Sequence, residues 1–281
     1  MAGPEHGGYL HCLSDALVLE LTRAPPDVRR MVEHLISSHA AARLMGVGAI
    51  QAQILRGATL APTAPRALPF LFALAGAPGY PHASAVLTRL GQLLSTLDDP
   101  PRSLASAEDG GAFPEAPLLR DVWQAFEARV PMLLRVARSS RDPEAARAAG
   151  QMAGHFPSAD PELVPLLVAL LSGTRDPQQR APLLHRLAHA QVTEAGPLHP
   201  RVLRALDAPT SGPDHAAVVL ALAEHRLEPS LHRRVVGALE ALAAADDTVR
   251  RWPDPRSGSG PFDRGVVSSA LERLRRRTPL E

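Results

Sequence analysis

Val130-Pro131-Met132-Leu133-Leu134, followed by Arg141-Asp142-Pro143, returns as Val164-Pro165-Leu166-Leu167-Val168, followed by Arg175-Asp176-Pro177. The offset from Val130 to Val164 is the same as from Asp142 to Asp176, and in both copies the two prolines stand 12 residues apart. A fixed period of this kind is the mark of a repeat array. The proline interval carries the pattern in both directions. Leu68-Pro69-Phe70-Leu71-Phe72 is followed by Pro81 at the same interval, and Pro200 is followed by Pro213 at an interval longer by a single position.

Prolines at regular intervals suit helices when they fall in first turns, where backbone N–H groups lack intrahelical partners. In each unit Asp-Pro then serves twice. Asp142 and Asp176 can cap a second helix, and Pro143 and Pro177 open it. Arg180 lies in that helix's first turn, where it could return to an acid of the turn. A pair of short helices cannot bury its apolar face alone, so neighbouring pairs must stack. The sequence thus predicts an all-α fold: an α-solenoid of stacked antiparallel helix pairs, five to six in number, its second helices lining a concave face.

Composition agrees. Apolar residues make up 45% of 281 and aromatics only 4%, which favours helices packed through Ala, Leu and Val over sandwiches of strands. All 30 basic residues are Arg, and the formal net charge is +1. That charge offers no strong field for nucleic acid or a membrane surface. Abundant Ala, Pro and Arg is the signature of a GC-rich genome. The single Cys12 excludes an intramolecular disulfide and suits a reducing, cytoplasmic setting. The apolar run Ala16–Leu21 is broken by Glu20 and lacks a basic flank, so neither a signal peptide nor a membrane span is expected.

Along the chain, residues 1–12 are Gly- and Pro-rich and expected to be loose; residues 13–278 read as one repeat domain. Ser14 should cap a helix to about Arg23, and Pro26 should open the next, with Val28, Met31, Val32, Leu35 and Ile36 on one face. A helix is expected from about His39 to Arg56, with Gly46 and Gly48 allowing close helix approach or a bend. From Pro81 to about Leu97, Val86, Leu90, Leu93, Leu94 and Leu97 form a stripe. Residues 98–117 are an insertion that breaks the period, read as functional or merely disordered. A helix over Leu118–Arg129 follows. A degenerate last unit starts at Pro229, and a closing helix over Asp263–Arg277 ends in Arg275-Arg276-Arg277, a solvated cap rather than a nucleic-acid tail.

A proline in the first helix, Asp in the turn and Arg in the second helix resemble the HEAT-repeat pattern. The run Ile54-Leu55-Arg56-Gly57-Ala58-Thr59, then Ala64-Pro65-Arg66-Ala67-Leu68-Pro69-Phe70-Leu71, is similar to short bacterial HEAT-like repeats of the phycobilisome-lyase type, as is Gly154-His155-Phe156-Pro157. The resemblance spans roughly residues 25–245. It departs at Ala146-Arg147, where the pattern has Val-Arg. It implies the fold and leaves the function open.

Counting 12 residues from the proline that opens each second helix gives His155, His189 and His225; the earlier unit has Leu93 there. Either each imidazole favours its own helix C-terminus, or the three form a pH-sensitive binding ridge. Helices packed about 8–10 Å apart hold three imidazoles too far from one another to share an ion. His185 and His189 stand at i and i+4, as in zinc proteases, but Arg186 follows the first where those need Glu. No metal or cofactor is expected on these grounds. No phosphate loop, nucleophile elbow or Cys-x-x-Cys occurs.

The function expected is non-catalytic binding of another protein, in an adaptor, assembly or immunity role. His155, His189, His225, Arg147, Arg180 and Arg186 are the candidate partner-binding residues on the concave face. The alternative is a HEAT-like enzyme, a DNA glycosylase or a chromophore-lyase-like protein. Alkylpurine glycosylases of this architecture use aromatic and acidic residues on a basic face; here Trp123 and Trp252 are the only tryptophans.

Overall fold

The computed structural model describes residues 8–56, 59–97, 116–156, 161–193, 197–208, 212–245 and 264–276. The fold is all-α, with fourteen α-helices among the described residues. They fall into two compact units, Met1–Ala149 and Gly150–Glu281.

The first unit begins with a 3-10 turn, Leu10–Cys12. The Gly-rich start reads as loose, yet residues 8–12 are pinned. The Tyr9 backbone N–H donates to the Ile36 carbonyl at 2.7 Å, its ring packs edge-on against Tyr80, and the Arg43 guanidinium lies 5.0 Å from the Tyr9 ring centre. Helix α1 (Asp15–Arg23) is capped by Ser14, whose hydroxyl accepts from Leu17 N–H. Helix α2 (Pro26–Leu35) opens on its proline and buries Val28, Met31, Val32 and Leu35, the face read from the sequence. Its C-terminal carbonyl at Leu35 accepts from the buried Tyr80 hydroxyl at 3.0 Å. Burial pushes the Tyr80 pKa up. The Cys12 thiol is raised by burial as well, which favours the inert thiol over the reactive thiolate.

Helix α3 (Ala40–Ile54) stops short of the expected end at Arg56. Leu55–Arg56 (β1) instead pairs antiparallel with Thr59–Leu60 (β2), Leu55 opposite Leu60 and Arg56 opposite Thr59. Helix α4 (Ala64–Gly76) carries Pro69 in its interior. Here the expectation of a first-turn proline fails: the helix gains a leading turn, Ala64 to Leu68, that the period does not signal. Helix α5 is Ala83–Thr96, after a turn at Pro81-His82; Val86, Leu90, Leu93, Leu94 and Leu97 are all buried, as the stripe requires. Residues 98–115, most of the insertion, lie outside the described residues. Helix α6 (Ala116–Glu127) follows, then α7 (Val130–Ser139), with Pro131 in its first turn. Phe126 of α6 meets Phe72 of α4 edge-on, with ring centres 5.0 Å apart.

Helix α8 (Pro143–Ala153) spans the boundary between the units. The Asp142 carboxylate accepts from Glu144 N–H at 2.9 Å, and Asp176 does the same for Gln178 at 2.9 Å, so both predicted caps form. The second unit then builds three pairs: α9 (Leu163–Gly173) with α10 (Pro177–Thr193), α11 (Pro200–Asp207) with α12 (Pro213–Ala223), and α13 (Pro229–Ala244) with α14 (Arg264–Arg276). The closing helix is therefore the second helix of the last pair. Its Arg275 pairs with Glu240 and its Arg276 with Glu272, consistent with an exposed cap; Arg277 lies outside the described residues, as does Trp252. The second helices pack on one another, α10 on α12 and α12 on α14. Helix α12 is buried on every side from His215 to Ala223, as expected of a helix that is apolar all round.

Two glycines of α3 give a paired test. A Cβ at Gly46 would stand 2.8 Å from the Leu35 backbone nitrogen, whereas one at Gly48 would meet nothing within 4 Å. Gly46→Ala should destabilise by about 1–3 kcal/mol through overpacking, and Gly48→Ala should stabilise by about 0.5–1 kcal/mol through helix propensity, both read from urea midpoints.

Candidate functional site

The second helices bring four titratable side chains together in the second unit. His185 and His189 lie on one face of α10, one turn apart. Glu224 and His225 occupy the turn that ends α12, where the backbone N–H of Glu224 donates to Ala221 O and that of His225 to Leu222 O. Fixed in this way, the two residues face α10. His189 Nδ1 stands 2.9 Å from His225 Nε2, and the ring centres are 4.5 Å apart. One Glu224 oxygen, Oε2, lies 3.4 Å from His189 Nδ1, and the other, Oε1, lies 3.8 Å from His185 Nε2. His185 is fully buried; His189, Glu224 and His225 are half-buried.

Glu224 in this cluster and His155 beside it are electrostatically tuned. Burial pushes the Glu224 carboxyl up, but the hydrogen bond with His189 and the electrostatic influence of His185, His189 and the Arg186 guanidinium outweigh it. The carboxylate is held well below the usual value of 4.5. His155, just past the end of α8, is pushed well below 6.5 by burial first, then by Arg186, His189 and His185. It is held neutral while Glu224 is held ionised. Such opposed tuning is how a buried polar group avoids an unpaired charge.

The register of His189 and His225 thus corresponds to real proximity, and the two rings turn toward each other. The spacing of about 8–10 Å between packed helices is a distance between axes, and two inward side chains close it. Arg186 needs a correction: at 7% exposure it is not part of an open surface. Its stem covers Gly154, where a Cβ would come within 2.6 Å of the Arg186 Cβ. This explains a glycine at that position. Arg180 is also placed differently from expectation. It does not fold back to the acid of its own turn; it reaches Asp214 in the first turn of α12, with Nε to Oδ2 at 2.7 Å. Arg147 is half-buried on α8, in the first unit and outside this cluster. Trp123 is half-buried on α6.

Glu224 is the residue that sequence reasoning missed. It breaks the period, since the equivalent positions, immediately before His155 and His189, hold Gly154 and Ala188. The zinc-protease spacing calls for Glu on the helix that carries His185 and His189, and here the carboxylate comes from the next second helix. The adjacent pair Glu224-His225, read beside the register, is the signal that could have found it. Compared with protein-family models, curated proteins and solved structures, the chain matches none.

The tuning fixes a pH dependence. His155 binds its proton more readily in the unfolded chain, near 6.5, than in the fold. Stability should therefore fall as pH drops below 6.5, and fall further below 4.5 as the unfolded chain protonates Glu224 ahead of the native one. Melting measured in chelator from pH 7.5 to 5 should show the first loss, and His155→Leu should reduce it, the remainder coming from His82, which burial also holds below 6.5. A wild-type melting temperature independent of pH over that range would contradict the assignment.

Proposed function

We propose that this chain is a HEAT-type repeat protein whose stacked helix pairs form a solenoid that binds another protein without catalysing a reaction. The observation that carries this reading is the packing of successive second helices in the second unit. Residues at one register position, His189 and His225, stand side by side on α10 and at the end of α12. A repeated unit that returns the same side chain at the same height builds a continuous polar strip, which is how repeat proteins make extended binding faces. His155, His189 and His225 are its proposed contact residues, with Arg180 a further one at the other end of α10, and Arg186 supports the strip from beneath. Arg147 is the proposed contact residue of the first unit. An adaptor, assembly or immunity role falls within this class.

The enzymatic reading has one observation in its favour, the convergence of histidines and a perturbed carboxylate. What argues against it is the direction of the perturbation. A general acid or base works best with a pKa near the operating pH, whereas Glu224 is held ionised far from it. A glycosylase-like role also sits poorly with a net charge of +1. Among the described residues no helix is long and apolar enough to cross a membrane.

The test is affinity capture with the intact chain from its native host, followed by reconstitution with the purified partner. Arg147→Ala and His225→Ala should each weaken that complex by at least about fivefold while leaving the helical signal unchanged, since interface polar contacts are worth about 1 kcal/mol or more when they matter. Affinity unchanged in both variants, or turnover of a captured small molecule, would overturn the proposal. A labelled DNA duplex should stay unbound even at low salt, where electrostatic binding is strongest.

A further inference from the structure

We propose that His189 Nδ1, Glu224 Oε2 and His225 Nε2 form a binding site for a divalent transition-metal ion of the zinc class, with a fourth position open to water or to a side chain of a bound protein. Among the described residues this is the one group of three His, Cys, Asp or Glu side chains whose donor atoms all lie within 4.8 Å of one another. Two of the three separations are closer to what an ion needs. Bonds of about 2.0–2.1 Å in a tetrahedron place donor atoms about 3.3 Å apart. Here His189 Nδ1 is 2.9 Å from His225 Nε2 and 3.4 Å from Glu224 Oε2. The donors come from helix α10 and from the hydrogen-bonded turn that ends α12, so binding requires only small side-chain adjustments.

The chemistry of the convergence supports an ion. Two imidazole nitrogens and a carboxylate oxygen are gathered at one point, and a dication there would serve all three at once. Two nitrogens and one oxygen are a borderline donor set, suited to zinc, cobalt, nickel or copper(II) and less so to calcium or magnesium, which take oxygen. His185 lies 3.8 Å from Oε1, so Oε2 is the oxygen turned toward His189. A histidine of this kind acts as a positioning residue, orienting a ligand through a contact outside the ion's own shell. The charged and titratable groups around the site are Arg186, His185 and His155, and the guanidinium opposes a second cation nearby. Affinity should therefore fall short of that of closed four-ligand structural zinc sites.

Metal uptake is independent of the partner reading, because it is measured on the isolated chain. The full-length protein, stripped with chelator and desalted, is titrated with zinc chloride at pH 7.5 by calorimetry, and with cobalt chloride by visible absorption. We expect one ion per chain and the intense bands of four-coordinate cobalt. His189→Ala and His225→Ala should each weaken zinc by at least about tenfold, while His39→Ala, an exposed histidine at the start of α3, should leave it unchanged. Circular dichroism checks folding, and His189→Asn and His225→Asn replace any alanine variant that fails it. The proposal is overturned by absence of saturable uptake, by uptake that survives loss of both histidines, or by uptake that falls equally in His39→Ala.

Discussion

The second unit depends on one constraint: helix α12 has no face of its own to give to water. Val218, Val219, Leu220 and Leu222 are all buried, and Ala216, Ala217, Ala221 and Ala223 fill the remaining positions. Each of the larger four contributes about 1.5–3 kcal/mol on burial. That contribution exists only while α10, α11, α13 and α14 cover the helix. A pair of helices excised from this unit would leave an apolar cylinder in solvent, so the pairs are stable only as neighbours. The single polar side chain of α12's buried stretch, His215 at its start, turns one ring nitrogen to the Ala205 carbonyl at 3.0 Å and so ties α12 to α11.

The same constraint explains how the polar cluster forms. Ala181, Ala188 and Ala190 on α10, like the alanines of α12, are fully buried. Small residues let helices approach closely, toward the short end of the usual range of about 8–10 Å. An imidazole from each side spans the gap between α10 and the end of α12, with a carboxylate beside them. Gln191, buried near the end of α10, accepts from the His199 backbone N–H at 2.9 Å; His199 in turn caps α11 through Nδ1. Arg180 and Asp214 join the other end of α10 to α12. The two helices are thus fastened at their first turns by an ion pair and near their last turns by histidines.

Much of this was legible in the sequence, for a specific reason. Proline and aspartate act through the backbone within two or three residues, so Asp142-Pro143 and Asp176-Pro177 mark helix starts wherever the chain goes afterwards. The stripe from Val86 to Leu97 was legible too, since helical period alone assigns a face. Interactions set by neighbouring pairs were not. Arg180 has Asp176 one turn back and Asp214 in the next second helix, and only packing decides between them. Pro69 resembles a helix start because the period places it there, but the extra turn from Ala64 to Leu68 buries Ala64, Ala67 and Leu68, which outweighs one lost hydrogen bond. The first strand of the β1–β2 ladder, Leu55–Arg56, lies in a segment whose residues read as helix.

The histidine register shows how a repeat can carry information that its own consensus omits. Periodicity identifies His155, His189 and His225 as equivalent, and equivalence suggests equal roles. Packing makes them unequal. His155 is desolvated beside the Arg186 guanidinium and is driven to the neutral state, whereas His189 gains both a carboxylate and a second imidazole. The difference comes from one residue outside the register. A glycine at the position equivalent to Glu224 makes room for the Arg186 stem, and an alanine there fills space on α10. The glutamate alone supplies a negative charge. Among units of one architecture, chemistry enters where the repeat is broken, and Glu224 is such a break.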